Sequence, residues 1–593
     1  MLDFKKNRLT YSDLLSPPEG YELTKAIGTS YSLDLYALLA IPVAMFYAKS
    51  LEGNFTQNRY DVLDAIRMSN EKVTLFCQRG KIHAPDSYSS LLAFVEECIV
   101  EVLPPHFAAS FHPKIWVLRF EKKKNVVYRL AVLSRNLTFD RSWDISYFTE
   151  GKPQENETKN GKKLASYLTY LHDYAGKQKD IKFLRELTKV DFELPVNFLS
   201  TDLYPIVGFN NESANYPNPL TLAHYDELLI ISPFLDAKTI NLLKANNKKI
   251  VLFSRKDELD KIEEDVLKND EVYYFNKDIR DGEFKIDSED KLCFYQDLHA
   301  KIFIGKRGRL TDWFIGSANC SQPALDRNVE FLIKNSSKSS KVDFQSIKEQ
   351  LTNKESQVFF PYQYVMQELD IEKENLEKEL RKLNHEISKT HFKGVVSERE
   401  NQLTFDLSIV VDLSKIQSNP KLKIKISLLH RTESGDELTL SEINTVLFQN
   451  IALTQLSKFV IVEILIEDKC ENKLVVKVHF EDFPNERDNV IFNQLINSKH
   501  SFYQYLQFLL SPDEFEGLIN MDQNEIHGNA NSNLNNKNGL DFPIYEYLMK
   551  AASRSPRKLK EINQIMNRME KLNSEILADF KPIWEVFKEF AND

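Results

Sequence analysis

The chain has 593 residues, 42% hydrophobic and 28% charged, which are the proportions of a soluble globular protein with several domains. Its net charge of −10 argues against a protein that coats nucleic acid through a generally basic surface, because Lys and Arg supply most of the affinity for phosphates in such proteins. The longest apolar run, 35–48, contains Pro42 and is too short for a membrane span, which needs about 20 residues.

The sequence carries no sign of export or of a bound cofactor. The N-terminal residues Met1–Lys6 lack the apolar core of a secretory signal, and the five cysteines show neither Cys-x-x-Cys pairs nor framework spacing. We therefore expect a cytoplasmic protein with reduced thiols. His and Cys residues form no cluster at zinc-ligand spacing and no glycine-rich phosphate loop is present, so we expect neither a metal nor a cofactor.

Helical and strand patterns alternate twice along the chain. In residues 1–195, Asp34 is placed to cap a helix, and in residues 196–345 the same order of elements returns. The strands predicted in these halves ahead of the motifs described below include 72–77, 98–102, 227–231, 249–253 and 272–275. The alternation predicts an α/β fold of two similar halves, each with a mixed sheet flanked by helices.

Each half contains the same pair of short motifs. The first half has His112-Pro113-Lys114 followed by Ser134-Arg135-Asn136, and the second has His299-Ala300-Lys301 followed by Ser317-Ala318-Asn319. In a strand, residues i and i+2 point to the same face, so we expect each His and Lys to emerge side by side. Each Ser-x-Asn ends a predicted strand, which would bring all four residue types together. A third His-x-Lys, at 391–393, has no Ser-x-Asn after it, so only the paired motifs are informative.

This doubled pattern resembles the phospholipase D superfamily, in which two similar halves face each other and pool their motifs into one active site. The resemblance covers roughly residues 20–340. The lipase branch carries an aspartate five residues after the lysine, where this chain has Arg119 and Lys306. Without that aspartate, the pattern resembles the nucleic-acid branches, namely tyrosyl-DNA phosphodiesterase and the metal-independent restriction nucleases.

The resemblance implies a role for each motif residue. One histidine attacks phosphorus while the other protonates the leaving oxygen; His112 is assigned as the nucleophile and His299 as the general acid, and the reverse order stays open. Glu330, and Asp144 in the first half, would orient the imidazoles. The groups expected to bind the phosphoryl oxygens are Lys114, Lys301, Asn136, Asn319, Ser134 and Ser317.

Basic residues cluster on the hairpins that follow the two motif lysines. The second hairpin holds Lys306, Arg307 and Arg309, and the first holds Arg119 with Lys122–Lys124. Because such clusters would focus a positive field on a polyanion, Arg119, Lys306, Arg307 and Arg309 are predicted to bind substrate. An ordinary solvated hairpin tip is the alternative.

The remaining segments give structural expectations only. Residues 346–395 are predicted to form a helical connector, in which leucines repeat every seven residues within 362–390. That repeat suits either a homodimeric coiled coil or a helix packed on its own protein. Residues 396–490 are predicted to form a β-rich domain, and residues 491–593 a helical C-terminal region with an Asn-rich linker at 524–538.

The sequence thus predicts a metal-independent phosphodiesterase that cleaves nucleic acid, with DNA favoured over RNA, through a phosphohistidine intermediate. By the same resemblance the chain is similar to nucleases of prokaryotic anti-phage and restriction systems, which work with a helicase or another defence-system protein. No membrane partner is expected. The alternatives are a phospholipid phosphodiesterase or transferase, and an inactive scaffold that binds nucleic acid.

Overall fold

The computed structural model describes residues 11–47, 69, 71–85, 88–138, 142–209, 216–277, 297–353, 358–364, 371–399, 404–417, 421–495, 502–503, 506, 544–554, 559, 562–563, 566, 570, 577–578 and 580–588. The fold is α/β with mixed sheets flanked by helices, which confirms the predicted fold class. The strands are β1 Glu22–Ser30, β2 Leu33–Asp34, β3 Val73–Gln78, β4 Ile82–His83, β5 Ile99–Val102, β6 Ile115–Lys122, β7 Asn125–Leu133, β8 Ser142–Trp143, β9 Ser146–Pro153, β10 Val190–Phe192, β11 Ser200–Val207, β12 Glu227–Ile231, β13 Ile250–Ser254, β14 Glu271–Phe275, β15 Asp297–Leu298, β16 Ile302–Arg307, β17 Leu310–Gly316, β18 Val329–Ser337, β19 Phe359–Pro361, β20 Phe392–Glu398, β21 Thr404–Asp412, β22 Leu422–Leu428, β23 Arg431–Leu438, β24 Ile443–Ala452, β25 Phe459–Ile466, β26 Lys469–Lys477 and β27 His479–Phe480. The α-helices are Tyr11–Leu15, Leu35–Tyr47, Leu92–Val95, Lys159–Tyr174, Ile181–Leu187, Pro219–Leu222, Ala237–Asn246, Lys256–Leu259, Glu264–Leu267, Gln322–Asp326, Phe344–Thr352, Ile371–Lys389, Arg487–Leu495, Ile544–Arg554 and Lys581–Phe587.

Two sheets of the N-terminal part repeat one strand order. The first sheet runs β10-β9-β7-β6-β1-β3-β5, and the second runs β11-β18-β17-β16-β12-β13-β14-β19. In each sheet an inner strand, β1 or β12, is parallel to one neighbour, β3 or β13, and antiparallel to the other, β6 or β16. The two halves therefore share a topology, in line with the duplicated pattern of the sequence.

The two sheets share one hydrophobic core. It contains Val117 and Leu130 of the first sheet together with Leu229, Ile302 and Ile333 of the second, all fully buried. Because alternate residues of a strand point to opposite faces, these side chains mark the inner face of each sheet. Burial of their apolar surface holds the two halves face to face.

Two backbone connections between the halves lie next to the motif loops. β8 of the first half pairs in parallel with β15 of the second, with Trp143 opposite Leu298. Phe111 forms an isolated parallel bridge with Val329. Leu298 and Phe111 directly precede His299 and His112, so each histidine loop is attached to the opposite half.

Strands β20–β27 form two further sheets around a separate core that includes Ile409, Ile426 and Val462. The six-stranded sheet runs β2-β4-β26-β25-β22-β23, and the four-stranded sheet runs β24-β21-β20-β27. β2 and β4 belong to the first half and join β26 through the pairing of Ile82 with Val475. This pairing links segments that the sequence places in different predicted domains.

A buried ion pair strengthens the same junction. Glu96 and Arg487 are 1% and 3% exposed, and Arg487 Nη1 lies 2.7 Å from Glu96 Oε2. The other carboxylate oxygen accepts hydrogen bonds from Ser457 Oγ (2.6 Å) and Lys458 N (3.0 Å). Because both carboxylate oxygens are hydrogen-bonded, the cost of burying the charges is offset, and the pair fixes the first half against the segment 457–487.

The helix predicted within 362–390 is present as Ile371–Lys389, and residues 365–370 lie outside the described residues. Ile387 is buried in the core of β20–β27, and Leu383 packs against that core. These contacts favour a helix packed on its own protein over a coiled coil.

The C-terminal helices pack on the outer face of the first half. Trp584 and Phe587 share a core there with Leu38 and Trp116. The Asn-rich linker predicted at 524–538 lies outside the described residues. Among the helices that the structure describes, none is both long and apolar enough to cross a membrane.

Candidate active site

The two histidines lie just before strands β6 and β16 rather than within them. The backbone N–H of His112 donates to Val329 O at 2.9 Å, and that of His299 donates to Trp143 O at 2.8 Å. The expectation of a His and Lys within one strand is therefore wrong. Each histidine backbone is instead hydrogen-bonded to the opposite half, because the sheet ends there and the loop pairs with β18 or β8.

The two lysines are buried and turn back toward the loops that carry the histidines. Lys114 Nζ donates to His112 O at 2.9 Å, and Lys301 Nζ donates to His299 O at 2.7 Å. Lys301 Nζ also lies 3.4 Å from Ser134 O of the first half. Both lysines are 1% exposed. The motifs of the two halves thus meet in one buried cluster.

Glu330 of the second half serves the histidine of the first. It is fully buried, and its Oε2 lies 3.0 Å from His112 Nδ1. Ser317 Oγ donates to the same oxygen, and Asn328 Nδ2 donates to Oε1 at 2.9 Å. A carboxylate beside Nδ1 keeps the proton on that nitrogen, which leaves His112 Nε2 with a free lone pair.

Asp144 occupies the position in the first half that Glu330 occupies in the second, since each follows the residue whose carbonyl accepts a histidine N–H. Its contacts are different. Its Oδ2 lies 3.4 Å from Arg135 Nε, and burial raises the pKa of its carboxyl group. His299 Nδ1 instead lies 3.4 Å from Lys301 Nζ. In the structure Asp144 is therefore paired with Arg135 and not with His299, and its role in orienting His299 stays a prediction.

Burial dominates the electrostatics of the cluster. Desolvation lowers the pKa of His112 to about 4, although Glu330 opposes the shift. Desolvation, reinforced by Lys301 and Lys114, also lowers the pKa of His299. The pKa of Lys114 falls to about 7 and that of Lys301 falls well below its usual value, in both cases mainly through burial. The Nζ atoms of both lysines contact backbone carbonyl oxygens, so a bound anion would stabilise their charged forms, and the cluster is a site for an anion.

The two motif asparagines each leave a polar atom without a partner. Asn136 Oδ1 and Asn319 Oδ1 are buried and accept no hydrogen bond. Buried polar groups are nearly always paired, so equivalent orphans in the two halves indicate a place for a ligand. Because the oxygen and nitrogen of an amide exchange on rotation about its terminal bond, either asparagine can present N–H groups to an anion.

The motif serines connect strands. Ser134 Oγ accepts from Ile145 N at 2.8 Å, and Ser317 Oγ accepts from Phe331 N at 3.0 Å while donating to Glu330. Both serines are fully buried. These contacts hold the ends of β7 and β17 to the following segments. Ser317 gives its proton to Glu330, whereas the hydroxyl of Ser134 accepts a hydrogen bond and keeps its own proton. The role of the two serines as donors to the phosphoryl oxygens stays a prediction.

The four basic residues predicted to bind substrate lie away from the cluster. Arg119 Nε is 2.6 Å from Glu186 Oε2, and Lys306 Nζ is 2.7 Å from Glu227 Oε1. Lys306 is five strand residues beyond Lys301, a separation of about 17 Å. Arg307 and Arg309 are exposed at the following hairpin. These residues lie away from the cluster because β6 and β16 run away from it, and their contact with a long substrate stays a prediction.

Sequence reasoning missed Arg255, which follows β13. Its Nε and Nη2 donate to Leu298 O at 3.1 and 2.8 Å, and Nη2 lies 2.7 Å from Asp297 Oδ2. Gln78 ends β3 at the equivalent place and accepts from Phe111 N at 2.8 Å. The signal that could have found both residues is their position at the carboxyl end of a parallel strand, where ligand sites gather in α/β sheets.

Comparisons with known proteins add distant likenesses. No family model and no curated protein matches the chain. Among solved structures, a mutant of yeast tyrosyl-DNA phosphodiesterase is 14% identical, with a TM-score of 0.36, over 56% of this chain and 85% of that one. Phosphatidylserine synthase from Haemophilus influenzae is 13% identical, with a TM-score of 0.34, over 63% of this chain and 96% of that one. NucT from Helicobacter pylori is 15% identical, with a TM-score of 0.21, over 28% of this chain and 99% of that one. Likenesses this distant carry no conclusion about the activity of this chain.

Within the described residues, no group of three or more His, Cys, Asp or Glu side chains is arranged to hold a metal ion. The polar groups of the cluster are imidazole, ammonium and amide groups with the single carboxylate of Glu330 in contact with His112. The arrangement can bind a phosphoryl group through its cations and amides, and it offers the unprotonated Nε2 of His112 as a nucleophile.

Proposed function

We propose that the chain is a phosphodiesterase that cleaves nucleic acid through a phosphohistidine intermediate, without a metal ion. The observation that carries this proposal is the buried cluster in which Lys114 and Lys301, from opposite halves, lie beside two histidines. Hydrolysis of a phosphodiester requires neutralisation of its anionic oxygens. Two ammonium groups supply the positive charge, and two amides donate hydrogen bonds to the same oxygens. The hydrogen bond between Glu330 and His112 supports His112 as the nucleophile.

In the first step, His112 Nε2 attacks phosphorus and the bond between phosphorus and the leaving oxygen breaks. His299 gives its proton to that oxygen. The negative phosphodiester offsets the neighbouring ammonium charges, so binding raises the pKa of His299 from its low value in the free protein. The His112 ring becomes positively charged as the bond forms, and Glu330 stabilises that charge.

In the second step, water attacks the phosphorus of the intermediate. His299, now neutral, takes a proton from this water, and the bond between phosphorus and His112 Nε2 breaks. The electron pair of that bond returns to the imidazole. Each histidine ends the cycle in its starting protonation state, so the reaction needs no other reactant.

The proposed substrate class, DNA before RNA, follows the resemblance of the motifs to the nucleic-acid branches of the phospholipase D superfamily. The absence of an aspartate five residues after each lysine supports those branches over the lipases. A role in prokaryotic defence, with a helicase or another defence-system protein as partner, is proposed on the same resemblance.

The test is a substrate panel in EDTA: plasmid DNA, single-stranded DNA, RNA and a fluorescent phospholipid. We expect wild-type protein to cleave at least one nucleic acid and not the lipid. Cleavage should persist in EDTA, because two ammonium groups replace the charge of a metal. His112→Ala should be inactive. His391→Ala is the matched control, since it alters the third His-x-Lys motif, and it should retain activity. Loss of cleavage in EDTA, or cleavage of the phospholipid alone, would contradict the proposal.

A further inference from the structure

The loop after β12 presents an exposed aromatic ring in a fixed position. Ser232 Oγ donates to Phe234 O at 2.7 Å and accepts from Cys320 N at 2.9 Å. The first half repeats the arrangement, with Ser30 Oγ donating to Ser32 O at 2.6 Å and accepting from Leu137 N at 3.0 Å. The loop that carries Phe234 is therefore a hydrogen-bonded turn.

Phe234 lies at the same edge of the sheet as His299. β12 and β16 are antiparallel, and Ile231 is paired with Ile302. Phe234 is three residues beyond Ile231, and His299 is three residues before Ile302, so both extend past the same end of this strand pair. Three residues of extended chain span about 10 Å, so each residue lies at most about that far beyond the strand pair. Arg255, which contacts both Phe234 and Leu298, connects the two segments.

One cation lies over the ring and also borders the histidine. Arg255 Cζ lies 4.8 Å from the centroid of Phe234, a cation–π distance. Its guanidinium group is fixed by Leu298 O, at 2.8 Å from Nη2, and by Asp297. Leu298 directly precedes His299. Phe234 is 41% exposed, whereas the Arg255 side chain is 13% exposed, so the open part of this pair is the aromatic ring.

We propose that Phe234 and Arg255 form a subsite that stacks one unpaired base of the substrate, on the leaving-group side of the scissile phosphate. This inference rests on the proposed function. The subsite lies on the side of His299, the proposed donor to the leaving oxygen. An aromatic ring with a cation over its face, next to an anion site, suits a nucleotide. The base of a nucleotide can stack on the ring, and its phosphate can bind at the anion site. An acyl chain would meet Arg255 and Asp297 instead of an apolar groove.

The subsite selects unpaired nucleic acid. Both faces of a base inside a duplex are already stacked, and unstacking it costs energy. The first half uses its equivalent loop differently, since the ring of Tyr31 lies edge-on to the His112 imidazole with centroids 5.2 Å apart. Base stacking is therefore assigned to the second half alone, and the substrate enters with a defined polarity.

The experiment uses dithymidine monophosphate and two analogues, each lacking the base of one nucleoside. For wild-type protein, loss of the base on the leaving nucleoside should lower kcat/KM by about tenfold, a typical value for one stacked base, and loss of the other base should matter less. Phe234→Ala should lower kcat/KM for the full dinucleotide by the same factor and remove the discrimination. Phe234→Trp should retain it.

Leu222→Ala is the matched control, because Leu222 is 66% exposed and precedes the opposite end of β12. A Phe234→Ala protein that still discriminates between the two analogues overturns the subsite while leaving the proposed function intact. If wild-type protein cleaves no dinucleotide, the panel of longer nucleic acids still decides the proposed function, and the subsite is tested by binding. A dinucleotide with 2-aminopurine on either side should then lose its fluorescence quenching in Phe234→Ala at one position only, and equal quenching in both proteins overturns the subsite.

Discussion

Alanine at position 112 should lower kcat/KM for every phosphodiester by at least about 10⁴-fold, whatever its leaving group. His112 is the proposed nucleophile, and Glu330 holds its Nδ1 proton. Burial lowers the pKa of His112 to about 4, so its Nε2 stays unprotonated at neutral pH. No other described imidazole contacts a buried carboxylate in this cluster, so removal of this ring leaves no replacement.

Alanine at position 299 should separate the two steps. A general acid contributes about 10² to 10⁴ in rate when the leaving group is a poor one such as a nucleoside alkoxide. It contributes little when the leaving group is p-nitrophenolate, which departs without a proton. His299→Ala should therefore lose cleavage of DNA but keep a first burst of p-nitrophenolate from the p-nitrophenyl ester of a thymidine nucleotide. If His112→Ala gives the burst and His299→Ala does not, the two roles are reversed.

Sulfate should bind the free protein tightly below pH 7 and lose about tenfold in affinity for each pH unit above it. Burial lowers the pKa of Lys114 to about 7 in the free protein, and a bound anion raises it again. The bound state therefore holds a proton that the free state has released above pH 7, so affinity falls as pH rises. Lys301, whose pKa is also lowered by burial, adds to the effect.

Isothermal titration calorimetry at pH 8, in two buffers of different ionisation enthalpy, measures this proton directly. Wild-type protein should take up about one proton or more per sulfate. Sulfate suits the test because its own charge is constant over this range. Lys114→Met should bind sulfate more weakly and take up fewer protons. An affinity that stays flat between pH 6 and pH 9 would show that the lysines are charged without the anion.

The duplication of short motifs was enough to predict the two halves and the meeting of their lysines. Lys114 and Lys301 follow their histidines at the same spacing, and the repeated strand order places both at the same edge of two facing sheets. What the spacing could not predict is which half orients which histidine. Glu330 reaches His112 only because Val329 pairs across the interface, a contact between residues far apart in sequence.

The positions of the basic residues relative to the cluster have a common physical cause. Arg119 and Lys306 are near the motifs in sequence, but a strand carries each of them away from the site and toward an acidic partner. Arg255 is far from the motifs in sequence and comes close because β13 ends beside β12. Distance along an extended strand grows by about 3.3 Å per residue, so proximity in sequence misleads most where the chain is straight.

The pairing of the β-rich segment with the first half was also beyond the sequence. β2 and β4 are two residues long, and such short strands carry no readable alternation. Their register is set by β26, through Val475 and Ile82. Short edge strands of this kind become predictable only when the sheet that they join is known.

The central claim is a covalent bond between His112 Nε2 and phosphorus, and it can be measured directly. His299→Ala protein is mixed with the p-nitrophenyl ester of the thymidine nucleotide, quenched in alkali, digested and analysed by mass spectrometry. The adduct should accumulate because the base that activates water is missing. We predict a thymidylyl group on the peptide that contains His112, and none when His112 is also replaced by alanine. An observed burst without any adduct on His112, or with the adduct on another residue, would contradict the mechanism.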